Sequence, residues 1–154
     1  YQRLLEKACF VKFQVEPQMR QMDRGTDNDA LEWWAEKTQH ARDMSFRPKT
    51  TDLSVVDGIN KLREYCVGVD IIKPTFWQRG GMDQMIFENL CRQAGEKPLA
   101  PYWMWLDVRT CLMLTKETAS RGYCEVPGFD RSLVVKHDPV HDCAYDVLMM
   151  LFGK

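Results

Sequence analysis

No apolar run in the sequence approaches the roughly 18 residues that a membrane-spanning helix needs. The longest, Val147-Leu148-Met149-Met150-Leu151-Phe152, is far too short. The N-terminal residues lack the pattern of a signal peptide, so a soluble cytoplasmic protein is the expectation. An excess of charge of one sign is also lacking. Lys and Arg number 21 against 22 Asp and Glu, for a net charge of −1 and a pI of about 6.3. That excludes a protein that grips nucleic acid by basic excess alone. It does not exclude a nuclease, because bound divalent ions offset the charge of an acidic metal site. No Cys-x-x-Cys occurs, and no Cys/His spacing matches a structural zinc site. Internal repeats and low-complexity segments are absent as well.

What is present suits one globular domain of 154 residues. A hydrophobic content of 45% with 28% charged residues argues against wholesale disorder. Of the six cysteines, Cys66, Cys91, Cys111 and Cys143 sit among apolar residues at helical spacing, and are expected as free core thiols.

The pattern predicts alternating strands and helices, hence an α/β or α+β domain. Residues 10–15 read as a short strand ending before Pro17, and 17–28 as a loop. The Asp27-Asn28-Asp29 cluster offers caps for a helix over about 29–42, with Leu31, Trp34, Ala35 and Thr38 on one face. After a loop at 43–53, Ser54-x-x-Asp57 opens a helix over about 55–66 through Val55, Ile59, Leu62 and Cys66. Residues 74–78 read as a strand that stops at Gly80-Gly81. A helix follows at once, with Asp83 near its start, Met82, Ile86, Leu90 and Ala94 along one stripe, and Gly95 as its stop. Tyr102 to Leu106 is expected to be extended, and Asp107 to cap a helix through Val108, Cys111 and Leu112, with an ion pair from Arg109. Residues 115–131 read as a loop, and Leu133-Val134-Val135 as a short strand or more loop. The best-defined element starts at His137-Asp138-Pro139. There Asp138 is the cap, Pro139 takes the first helical position, and Val140, Cys143, Ala144, Val147, Leu148 and Leu151 share a face.

Three places carry side chains suited to chemistry. In His137-x4-Asp142, a carboxylate one turn into a helix follows a histidine; a metal-binding carboxylate beside a proton acceptor is what metal-assisted phosphodiester hydrolysis requires. A capped helix with solvated polar groups gives the same pattern. Asp83 follows a strand and a glycine pair, at the kind of rim where ligands gather in open α/β sheets, and it also reads as a helix cap. Of Trp33-Trp34, only one indole can fully face the core. Trp34 belongs with Leu31 and Thr38, so Trp33 is left to stack on a base or to cover a loop.

At these residues the chain resembles the DEDDh 3′–5′ exonucleases. His137-x4-Asp142 matches the third motif of that family, and Arg79-Gly80-Gly81-Met82-Asp83 looks like the second. Leu31-Glu32-Trp33-Trp34, Val56-Asp57-Gly58-Ile59, Asp107-Val108-Arg109-Thr110 and His137 through Ala144 are similar, in order, to the T-even phage exonuclease A group and its bacterial exoribonuclease-like relatives. The resemblance covers nearly the whole chain. It implies an RNase H-like fold, a central mixed sheet flanked by helices. It implies two divalent ions, Mg²⁺ or Mn²⁺, held by four carboxylates, and a nucleic-acid substrate, DNA or RNA, with a 3′ end. Carried over by position, Asp83 and Asp142 would be metal ligands and His137 the general base. Trp33 and Arg79 are the candidate substrate-binding residues, Asp138 stays a cap and His141 a bystander. The family's first motif, Asp-x-Glu, occurs nowhere in this sequence. The expectation is that it lies upstream of Tyr1 with the first strands of the sheet. The alternative is a catalytically inactive module of the same fold that binds nucleic-acid ends or a protein partner. If the chain is phage-encoded, the host cytoplasm is its expected place.

Overall fold

A computed structural model describes residues 1–22, 24–69, 75–119 and 121–154. Among these, helices α1 (Gln2–Glu6), α2 (Glu16–Gln21), α3 (Asn28–Ala35), α4 (Gln39–Ser45) and α5 (Val55–Gly68) precede strand β1 (Phe76–Gln78). Helix α6 (Met82–Gln93), strand β2 (Trp105–Asp107), α7 (Val108–Lys116) and α8 (Pro139–Phe152) follow, with single 3-10 turns at Tyr102–Met104 and Arg131–Leu133.

The centre is a β1–α6–β2 unit. The strands pair in parallel with Phe76 opposite Trp105, Trp77 opposite Leu106 and Gln78 opposite Asp107. Phe76 and Trp105 stack with ring centroids 4.9 Å apart. Because the strands end level, the Arg79–Gly81 turn and the start of α7 emerge at one rim. Asp107 ties them together. Its carboxylate caps α7 by accepting the Arg109 and Thr110 N–H groups at 3.3 and 3.0 Å, and it also accepts the Gly80 N–H at 2.9 Å. Burial works against this charge, but the four donors, with the Thr110 hydroxyl foremost, outweigh it and hold the carboxyl below its ordinary range.

Two apolar clusters hold the helices. Val55 and Ile59 of α5 meet Leu90 and Cys91 of α6, with Phe13, Met22, Phe87 and Ala94 around them. Val108 and Leu112 of α7 meet Tyr145 and Met149 of α8, covered by the 121–134 region through Cys124, Val126, Phe129 and Val134. Gly58 of α5 is pressed against the rings and methyls of Phe13 and Val11, where any side chain would collide. The approach is that close because Leu53, just before α5, bridges to Phe13, with Gln14 N–H and Leu53 N–H each donating at 2.8 Å.

Several expected elements come out differently. The strand expected at 10–15 makes, among the described residues, this single bridge. The loop expected at 17–28 contains α2, because Pro17 lies in its first turn, where a missing N–H is harmless. The helix expected over 29–42 is two helices. Thr38 leaves the apolar face and turns its hydroxyl to the Ala41 N–H, capping α4. On α6 the buried face runs through Phe87, Leu90 and Cys91, while Met82 is 60% exposed. On α8 the buried residues are Ala144, Tyr145, Leu148 and Met149, so Cys143 and Leu151 lie outside the core. Residues 133–135 add no strand, and among the described residues Arg109 makes no ion pair. Of the strand expected at 74–78, Pro74 lies outside the described residues, and Thr75 precedes β1. The sheet among the described residues is two parallel strands. No described helix is long and apolar enough to cross a membrane.

Candidate active site

One cleft of about 690 Å³ gathers side chains from α3, the β1 rim, the start of α6, residue 123 and α8. It is lined by every residue that the sequence singled out for chemistry: Trp33, Arg79, Asp83, His137 and Asp142. Each is delivered by a local feature. Gly81, with φ of +75°, caps α6 through its backbone alone. That leaves Asp83, in the first turn, without capping work, and its carboxylate has no hydrogen bond or ion pair among the described residues. Asp142 lies in the first turn of α8.

His137 precedes the cap of α8 and has φ of +62°, a left-handed conformation that non-glycine residues rarely hold. Its neighbours fix it there. The Asp138 side chain is bound on one side, and the Ser45 hydroxyl donates to the His137 carbonyl at 3.4 Å. The Trp33 indole stands edge-to-face with the imidazole, 5.1 Å between centroids. Trp33 is 44% exposed, with Lys37 Nζ 3.9 Å from its ring centre and Trp34 at right angles to it. Trp34 stacks on Phe46.

The electrostatics separate the carboxylates. Crowding by protein pushes the Asp142 carboxyl above its ordinary range. Asp146 and Asp138 add to the shift, and His137 opposes it. Cys143 opens to the cleft yet is closely surrounded; burial, then Asp146, Asp142 and Asp83, push its thiol up to about 11. Asp146 is one helical turn beyond Asp142 and is taken by Arg79, through Nε to Oδ2 at 3.2 Å and Nη2 to Oδ1. Nη1 of Arg79 donates to the carbonyls of Arg121 and Gly122 at 2.8 and 3.3 Å, and Tyr123 lies against the guanidinium. Arg79 is thus committed to four hydrogen bonds rather than open to solvent.

Sequence reasoning missed Asp146, Tyr123 and Cys143 as parts of this cleft. For Asp146 a signal existed, since Asp142 and Asp146 are spaced i, i+4 and share a helix face. Nothing local marks Tyr123. Asp138 caps α8 as expected, accepting the Val140 and His141 N–H groups at 3.0 and 3.3 Å. It also holds His40 Nε2 at 2.7 Å. His141 points elsewhere: its Nδ1 accepts the Tyr1 hydroxyl at 2.6 Å and the Val135 N–H at 3.2 Å.

As hard oxygen donors, Asp83 and Asp142 suit Mg²⁺ or Mn²⁺. The raised Asp142 carboxyl, set among other acids, is a place where a cation relieves repulsion. Two carboxylates alone would supply only part of a cage. Among the described residues, no three His, Cys, Asp or Glu side chains come together as a metal site.

The family model of the Rv2179c-like 3′–5′ exoribonuclease domain matches residues 9–151. The exodeoxyribonuclease of Enterobacteria phage T4 is 28% identical over 172 residues, an alignment covering 99% of this chain and 73% of that protein. No solved structure matches. With its model spanning all but the ends of the sequence, the chain belongs to the Rv2179c-like 3′–5′ exoribonuclease domain family, a family of exonucleases.

Proposed function

We propose that this protein is a metal-dependent 3′–5′ exonuclease that hydrolyses terminal phosphodiester bonds of single-stranded DNA or RNA. The carrying observation is that Asp83 and the His137–Asp142 segment, far apart in the sequence, line one cleft. The reading treats 1–154 as a single exonuclease-like domain of RNase H-like type, whose β1–α6–β2 unit presents Asp83 beyond the strand ends, where ligands gather in α/β sheets, while α8 brings Asp142 to the same cleft.

In this reading Asp83 and Asp142 hold part of the coordination of divalent ions, in a two-metal site that needs further ligands. Such ions, when bound, polarise the attacking water and steady the leaving oxygen. His137 takes the proton of the attacking water, and the wall of Trp33 and the fixed backbone at 137 hold its ring toward the cleft. Trp33 keeps part of its surface for the terminal nucleotide. Arg79 contributes charge near the scissile phosphate. Its hydrogen bonds to Asp146 and two carbonyls keep it in place.

The incomplete cage favours a second reading, a module that binds nucleic-acid ends without turnover. One assay separates the two: 5′-labelled single-stranded DNA and RNA incubated with Mg²⁺, with Mn²⁺ and with EDTA. A ladder shortening from the 3′ end only with metal is expected, and the better substrate separates DNase from RNase. Retarded but intact strands would replace the exonuclease by the binding module.

A further inference from the structure

We propose that Tyr123, seated on the Arg79 guanidinium, is a stacking platform for a nucleobase of the strand whose phosphates meet the carboxylates. The inference rests on the nucleic-acid reading above and adds a binding residue to it. Tyr123 is 50% exposed and lines the cleft. The Arg79 guanidinium carbon lies 4.4 Å from its ring centre. A cation over a tyrosine ring is favourable and fixes the plane of the ring. The loop around it is held on both sides. Gly122, at φ of +61°, is buried against α7, where a Cβ would come 2.8 Å from the Arg109 Cα. Its N–H donates to the Ala119 carbonyl at 2.8 Å, while the Tyr145 hydroxyl donates to the Cys124 carbonyl at 3.3 Å. An aromatic ring pinned by its neighbours yet half open loses little freedom when a base stacks on it.

Its place relative to the carboxylates is also set. Asp142 and Asp146 are one turn apart on α8, Asp146 holds Arg79, and Arg79 carries Tyr123. The α8 backbone and Arg79 therefore link the position of the candidate metal ligand to that of the ring. Of the two other exposed aromatics that line the cleft, Trp77 lies on β1, and Trp33 is already met by Lys37, Trp34 and His137. Tyr123 is engaged by one guanidinium alone among the described aromatic and cation contacts. Stacking tolerates any base but requires one that is not stacked within a duplex, so the platform selects unpaired nucleotides.

The test is fluorescence anisotropy of the full protein with a labelled thymidine pentanucleotide and its abasic counterpart, both in EDTA so that nothing is cleaved. Tyr123→Ala is expected to weaken binding of the pentanucleotide about tenfold, to leave abasic binding unchanged, and to keep the wild-type melting temperature. Tyr123→Phe should bind within about twofold of wild type, because the stacking face survives. Equal affinity of Tyr123→Ala and wild type for the pentanucleotide overturns the platform, as does an equal loss on the abasic strand. If the wild type shortens the strand with Mg²⁺ in parallel tubes while either of these results holds, the exonuclease reading stands and the platform alone fails. If the wild type neither binds nor cleaves, both are overturned.

Discussion

Asp138 and Asp142 lie four residues apart at the start of one helix, and their surroundings are opposite. Asp138 is 3% exposed and saturated: two backbone N–H groups and His40 share its oxygens. Burial alone would push its carboxyl up, but His40 and the N–H donors prevail and hold it below the ordinary range. Asp142 faces the cleft, gains no comparable set of donors, and is pushed up by burial and by two neighbouring acids. A carboxylate whose partners come from the protein stabilises the fold. One left among like charges lacks its partner until a ligand arrives.

The sharpest way to break this comparison is to remove each acid and measure activity and stability together. Asp142→Asn and His137→Ala are each expected to lower hydrolysis about 10²- to 10⁴-fold, with denaturation midpoints at or slightly above wild type. A large drop in stability for Asp142→Asn would mean that it, too, is structural. The next effect is thermodynamic. Asp138→Ala should cost about 2 kcal/mol in urea denaturation, since a cap is lost and His40 is left without its acceptor. Retention of full stability would place the helix start under other control.

The smallest effect is the pH dependence. A carboxyl held below its unfolded value contributes stability that is present above that value and is lost as pH falls through the folded one. Asp138 therefore steepens the acid limb of unfolding, and Asp138→Asn should flatten it, as melting temperatures between neutral pH and about pH 3 would show. An unchanged acid limb would mean that Asp138 ionises alike in the folded and unfolded chain.

What the sequence made legible was local. The Asp138-Pro139 helix start, the Ser54 and Asp107 caps and the Gly95 stop depend on neighbours within one turn. His137, Asp142 and Asp83 were readable as chemical candidates because their spacing matches a family pattern. The break between α3 and α4 was not, since Thr38 fits the helical period and its role as a cap appears only once the chain turns. The buried faces of α6 and α8 are legible only in part, through Leu90 and Ala94 and through Ala144 and Leu148, for a related reason. Apolar residues occur on more than one side of each helix, and only the packing of α5 on α6 and of α7 on α8 selects which side is covered. The Arg79–Asp146 pair joins residues far apart in the sequence, and nothing in either segment announces the other.

Asp107 serves two masters, the start of α7 and the Gly80 N–H of the turn before Asp83. An insertion or deletion in either turn would draw the carboxylate away from the other. Through evolution these two turns are therefore bound to keep their lengths jointly, and a homologue that changes one of them should carry a compensating change in its neighbour.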